Sequence, residues 1–214
     1  MRLFRLDASI RTEGSHSRQI ADIVEQEWRA VHPQGEVVSR HLGLEPIAAT
    51  AWPLAVSAAA TQQHTPEQRE ALALVAKLTD ELLDADAIIV AAPLYNFGVS
   101  QHLKTWVDLI ITDARMRAEP GPLMGKPAVL VTSRGGAYGP GTPREGWDHA
   151  TPWMRRIFAD VWGLDLRIIE AEFTLVGVNP ALDEFRDLAA QMRREAEAKA
   201  REHGRNLAQG EAAA

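Results

Sequence analysis

Apolar positions along the chain switch repeatedly between strand-like runs and helix-like spacing. Residues 2–8 read as a first strand, and Ile20, Ile23, Val24, Trp28 and Val31 then recur along one helix face. Residues 36–42 alternate and predict a second strand. After a less regular, alanine-rich stretch, Thr65-Pro66-Glu67-Gln68 carries a helix start: Thr65 as cap, Pro66 at the first helical position, Gln68 reaching back to the cap N–H. Leu72, Val75, Ala76, Leu82 and Leu83 form the inward stripe of that helix. The unbroken apolar run 87–92 predicts a strand buried on both faces. Leu103, Trp106, Val107, Ile110 and Ile111 line the next helix. Residues 127–132 and 165–171 predict strands four and five, with Met154, Ile157, Phe158, Val161 and Trp162 as a helical face between them. Asn179-Pro180 starts a last helix through Phe185, Leu188, Ala189 and Met192.

Five strands with intervening helices give a doubly wound α/β protein with a parallel sheet, and the five-strand flavodoxin-like order 2-1-3-4-5 fits better than the longer dinucleotide fold. No linker or internal repeat divides the chain, so residues 1–203 form one predicted domain, and the polar, alanine-rich residues 204–214 a flexible tail.

Composition narrows the chemistry. The net charge of −6 over 214 residues argues against nucleic acid as the main partner. The chain has no cysteine, which removes disulfides, thiolate catalysis and iron–sulfur ligation, so redox work falls to a bound cofactor. The seven histidines are scattered without metal-ligand spacing, and no metal is expected. No apolar run is long enough to span a bilayer and residues 1–7 enter a strand directly, so a cytoplasmic protein without membrane attachment is expected.

In a parallel sheet the loops after strands one, three and four share one edge. The first holds Ser9, Arg11, Thr12, Gly14, Ser15, His16 and Ser17 and opens a helix, a setting suited to a phosphate. It lacks both G-x-x-x-x-G-K-[ST] and G-x-G-x-x-G, which disfavours a nucleoside triphosphatase or a typical NAD-binding half. No G-x-S-x-G elbow appears, which removes the hydrolase reading. The second loop, within the segment PLYNFGVSQHLKTWVD (93–108), sets Leu94, Tyr95, Asn96 and Phe97 at a strand end: two rings and an amide suited to a flat heteroaromatic ligand, which points to a flavin. The third runs Ser133-Arg134-Gly135-Gly136, and paired glycines let backbone amides approach a ligand.

Together, PLYNFGVSQHLKTWVD and VTSRGG at these separations resemble the FMN-dependent NADH-azoreductase/NADH:quinone oxidoreductase family, and the likeness covers the chain from Met1 to about the last helix. The resemblance implies that Ser9, Ser15, His16 and Ser17 surround the FMN phosphate. It implies that Leu94, Tyr95, Asn96 and Phe97 line the isoalloxazine, and that Ser133, Arg134, Gly135 and Gly136 complete the ring site. It further implies a homodimer and a ping-pong cycle in which NADH or NADPH reduces the flavin and a quinone or azo compound reoxidises it. Leu94 stands where methionine is common in that family, and Ser100 where proline is common. Residues 114–122 replace a usually aromatic stretch, bringing Arg115 and Arg117 to the substrate side, with Tyr138 as the acceptor contact. Two other readings stay open on the same fold: a flavodoxin-type electron carrier, and a flavin-free binding or regulatory protein.

Overall fold

The computed structural model describes residues 1–142 and 144–210. Five strands form one parallel sheet: β1 (Arg2–Asp7), β2 (Glu36–His41), β3 (Ala87–Pro93), β4 (Pro127–Ser133) and β5 (Asp165–Ala171), in the spatial order β2-β1-β3-β4-β5. This is the predicted order. The register aligns Asp7 with Ala91, Pro93 with Ser133 and Ser133 with Ala171, so the carboxyl ends of four strands finish on one edge.

Among the described residues six α-helices flank the sheet: α1 (His16–Val31), α2 (Ala51–Ala58), α3 (Pro66–Leu83), α4 (Gln101–Thr112), α5 (Thr151–Arg155) and α6 (Arg186–Gln209). Alternate residues of the strands divide the core in two. Phe4, Leu6, Ile88, Val90, Ala92 and Leu130 face α3, α4 and the α5 region. Leu3, Ile89, Ala91, Val129, Val131 and Ile169 face α1 and α6. Every residue of β3 is buried, which explains why its sequence shows a continuous apolar run instead of alternation.

Local signals account for several helix starts. Thr65 Oγ1 accepts from the Gln68 N–H at 3.2 Å and Gln68 Oε1 accepts from the Thr65 N–H at 3.0 Å, closing the predicted capping box of α3. Ser100 Oγ accepts from the Leu103 N–H at 3.2 Å, so the serine supplies by side chain the helix start that a proline would supply by its ring.

The structure corrects the pattern in three places. The alanine-rich stretch contains α2. After α5 the backbone widens into a π-helical turn over Arg156–Val161, and Trp162 N–H reaches Ile157 O at 2.9 Å. That shifts the helical phase, keeping Phe158 and Trp162 buried while Val161 turns outward. The third concerns the predicted tail from residue 204. Asn179 caps a 3-10 turn (Pro180–Phe185), and α6 then continues to Gln209 with Ala196, Ala200, Gly204, Leu207 and Ala208 buried on α1 and the sheet. A Cβ at Gly204 would lie 2.7 Å from Glu27 Cβ and 2.8 Å from the Val24 carbonyl oxygen, so the two helices touch there through a missing side chain. Residues 211–214, the remainder of that tail, lie outside the described residues.

Candidate functional site

The sheet edge holds a cavity of about 310 Å³, the size of a small-ligand site. Its two ends differ chemically.

At one end, Ser9, Arg11, Ser15 and His16 converge on the first turn of α1. Ser15 is the N-cap: its Oγ accepts from the Arg18 N–H at 3.4 Å and lies 3.2 Å from Ser17 Oγ. The first-turn N–H groups and the helix dipole give this end positive polarity. Burial pushes the His16 imidazole pKa down, and the charges of Arg193 and Arg11 push it further the same way. This end is therefore an electropositive, hydroxyl-lined pocket that favours an anion. Arg18 does not join it; its guanidinium bonds the Thr12 carbonyl and His41, bracing the loop from behind.

At the other end, residues 95–98 fold into a tight reversal closed by two backbone bonds, Tyr95 N–H to Gly98 O at 3.1 Å and Gly98 N–H to Tyr95 O at 2.9 Å. Asn96 (φ 49°) and Phe97 (φ 67°) both adopt the left-handed conformation. Asparagine tolerates it; for phenylalanine it costs about 1–3 kcal/mol, the kind of strain retained at ligand sites. The amide N–H groups of Asn96 and Phe97 take no part in the closing bridge. The His149 N–H holds the Phe97 carbonyl at 2.9 Å, and the Phe97 ring meets Tyr138 and Trp147 edge-on at centroid distances of 6.3 and 5.3 Å.

The two ends are tied together. Tyr95 Oη lies 3.1 Å from Ser9 Oγ and accepts from the Ile10 N–H at 3.2 Å, while Ser9 Oγ accepts from the Arg11 N–H at 3.1 Å. Ladder-like bonds continue past the strand ends, from Leu94 N–H to Ser133 O and from Arg134 N–H to Ala171 O.

Of the residues singled out from the sequence, Ser9, Ser15, His16, Leu94, Tyr95, Asn96, Phe97, Ser133, Gly135 and Tyr138 line this cavity. Others do not. Ser17 is fully buried behind Ser15. Gly136 borders an adjoining apolar hollow. Arg134 turns away: its buried guanidinium is held by Asp148 at 2.8 Å, Glu172 at 3.0 Å, Thr151 Oγ1 at 3.0 Å and Glu170. Its carbonyl accepts from the Thr174 N–H and Oγ1. Arg134 thus stitches three segments together behind the cavity. Arg115 pairs with Asp80 and Asp113, each at 2.7 Å, and Arg117 borders a hollow between α2 and α3, so within one chain neither reaches the cavity.

Arg144, Thr174 and Leu175 line the cavity without having been singled out. For Thr174 and Leu175 a signal existed: strand five lies beside strand four, so the loop after Ala171 shares the same edge. Leu175 packs over Gly135, where a Cβ would come within 2.6 Å of Leu175 Cδ1. Arg144 sits in an irregular glycine-rich loop whose sequence carries no periodicity.

An elongated cavity with an anion pocket at one end and rings plus turned backbone amides at the other fits a flat heteroaromatic group bearing a phosphate. A family model for the flavodoxin-like fold matches residues 1–199. The chain is 41% identical over 204 residues to an FMN-dependent NADH:quinone oxidoreductase of Frankia casuarinae, covering 93% of this chain and 96% of the relative. It is 39% identical over 196 residues to a protein of the same name from Frankia alni, covering 89% and 92%. In shape it resembles an FMN-dependent NADH-azoreductase from Bacillus anthracis str. Ames Ancestor, crystallised in complex with FMN, with a TM-score of 0.80 at 15% identity over 97% of this chain and 100% of that one. The chain belongs to the flavodoxin-like fold family, alongside the FMN-dependent NADH:quinone oxidoreductases.

Proposed function

We propose that this protein binds FMN at the sheet edge and uses NADH to reduce quinones by two electrons. The single observation that carries the reading is the continuity of the cavity, from the anion pocket at the start of α1 to the strained Tyr95–Gly98 turn. A flavin without phosphate would leave the first pocket unused; a phosphate without a ring would leave the second.

FMN, when bound, supplies a ring that accepts hydride and passes electrons on; the chain supplies position and access. Ser9, Ser15 and the first-turn amides of α1 hold the phosphate, with Arg11 adding charge and the His16 ring beside it. The turn at Asn96 and Phe97 and the backbone at Ser133 and Gly135 hold the ring edge. The relatives' names support NADH and quinone, and azo compounds are a further acceptor class carried by the structural neighbour's name. Donor and acceptor take turns at one open face, which makes the kinetics ping-pong. The protein acts in the cytoplasm, where NADH is available; among the described residues no helix is long and apolar enough to cross a membrane.

The active form is a homodimer. Phe97 and Trp147 stand exposed around the cavity mouth, apolar surface of the kind a second subunit covers. Sedimentation equilibrium tests this directly; a monomer at micromolar concentration would contradict it.

The deciding experiment is anaerobic. Protein titrated with FMN and with riboflavin is mixed with NADH and then with benzoquinone. Tighter binding of FMN, loss of its visible absorbance with NADH and return with quinone are expected. Bound FMN that NADH leaves oxidised would favour an electron carrier, and failure to bind FMN would favour a binding protein on the same fold.

A further inference from the structure

The apolar stripe leading into the last helix does not reach the core. Leu182, Phe185, Leu188 and Met192 recur at helical spacing, yet none belongs to either half of the core packed on the sheet. They line instead a hollow of about 640 Å³, against about 310 Å³ for the sheet-edge cavity. Phe173 forms part of its wall, stacked on Phe185 at a centroid distance of 5.2 Å. Its φ of 54° is left-handed, a strained backbone for a phenylalanine.

The hollow and the cavity adjoin across one stretch of backbone. Gly135 and Tyr138 line the cavity, Gly136, Ala137 and Gly139 line the hollow, and Arg144 borders both. A Cβ at Gly136 would lie 3.5 Å from Arg144 Nη1, so the arginine crosses the glycine pair where the two spaces meet. Among the described residues the polar side chains of the hollow are engaged within the protein. Glu172 accepts from Arg134 and the Tyr138 N–H, Thr142 Oγ1 donates to the Gly139 carbonyl at 2.7 Å, and Arg144 Nη1 donates to Tyr138 Oη at 3.3 Å. Apart from Arg144 at the boundary, a ligand there meets carbon, a lining that suits a hydrocarbon chain and poorly suits a ribose or an amide.

We infer that this hollow takes the hydrocarbon tail of the acceptor. The quinone ring enters the sheet-edge cavity, and a prenyl chain attached to it passes beside Arg144 into the space between Phe173 and the start of α6. Neither FMN nor a nicotinamide nucleotide carries a hydrocarbon chain to fill that space, which leaves the acceptor. The reaction is unchanged: NADH, a proton and the quinone give NAD⁺ and the hydroquinone, and the tail contributes binding alone. The inference rests on the quinone-reductase reading for turnover, and on the hollow by itself for tail binding.

The test has two arms, on FMN-loaded wild type, Leu188→Asp and Leu188→Met. Leu188 is exposed at the edge of the hollow, so replacing it leaves the core intact. The first arm measures binding without NADH, by equilibrium dialysis of dimethoxymethylbenzoquinone with and without a geranyl chain. A buried methylene is worth about fourfold in affinity, so even a partly buried tail should tighten binding to wild type at least about tenfold. Leu188→Asp should lose about tenfold of that gain and Leu188→Met should keep it. Geraniol, the tail without its ring, should compete with the geranyl quinone but bind far more weakly. The second arm measures turnover: the ratio of kcat/KM for the geranyl quinone over the tailless one should fall about tenfold in Leu188→Asp.

No gain from the tail in wild type, or a gain and ratio unchanged within twofold in Leu188→Asp, would overturn the inference. Geraniol binding as tightly as the geranyl quinone would assign the hollow to a separate apolar ligand and overturn it too. So would a Leu188→Asp protein that sediments as a monomer where wild type is a dimer, because the hollow would then belong to the subunit contact. A wild type that prefers the geranyl quinone in dialysis yet turns over neither quinone would sink the quinone-reductase reading and uphold the tail site.

Discussion

Tyr95 Oη sits 3.1 Å from Ser9 Oγ, joining by one contact two loops 86 residues apart in sequence. The same phenol accepts from the Ile10 N–H, so the anion pocket and the aromatic turn are set in mutual position before any ligand arrives. Tyr95→Phe keeps the ring and deletes the tie. The contact exists without ligand, so its loss should cost about 1 kcal/mol in unfolding free energy, and the loops it freed must then be ordered on binding, raising the FMN dissociation constant by up to about fivefold. Flavin fluorescence quenching measures it. An unchanged constant would mean the two loops are positioned independently.

His16 gives the cofactor site a pH signature. Burial, with Arg193 and Arg11 nearby, holds its free-state pKa below the ordinary imidazole value. A bound phosphate opposes those charges and raises the pKa, so binding takes up a proton, and the contribution of His16 to affinity grows as pH falls. The phosphate's own titration is cancelled by comparison with His16→Asn. The ratio of dissociation constants, variant over wild type, should increase from pH 8.5 to pH 6. A flat ratio would remove His16 from contact with the phosphate.

Arg134 is structural in this geometry. Its partners Asp148, Glu170 and Glu172 would be left mutually repelling by a point-charge lysine that cannot bridge them. Arg134→Lys should cost about 3 kcal/mol in urea unfolding, the scale of breaking a buried ionic cluster. A loss below about 0.5 kcal/mol would contradict the caged geometry.

Gly204 gives a test whose sign is informative. In an exposed helix, Gly→Ala gains about 1 kcal/mol. Here the added methyl meets Glu27 Cβ and the Val24 carbonyl, and overpacking of about 1–3 kcal/mol should outweigh that gain. A Gly204→Ala protein more stable than wild type would show that α6 does not dock as closely as described.

The layout of the fold was legible because its signals are local. The run before Pro93 declared a doubly buried strand, and the capping box at Thr65 declared a helix start that the backbone honours. The site was legible wherever it sits on loops directly following strands, as at Ser9, Tyr95 and Ser133. It was not legible where tertiary context decides. Nothing in Ser-Arg-Gly-Gly says that the arginine turns into a carboxylate cage formed by residues up to 38 positions away. The π-helical turn before Trp162 hides in a pattern that an ordinary helix would also satisfy. The buried end of α6 reads as polar because its contact surface is alanine and glycine, small residues whose burial depends on what α1 presents.

The docking of α6 on α1 also sets an order in time. A ribosome releases α1, with Ile20, Val24 and Trp28 on its apolar face, on the order of ten seconds before residues 186–209 emerge to cover that side of the sheet. Until then α1 alone covers that side of the sheet. The nascent chain is therefore dependent on α6 for completion of the fold, and its period of greatest need for a chaperone lasts until that helix has emerged.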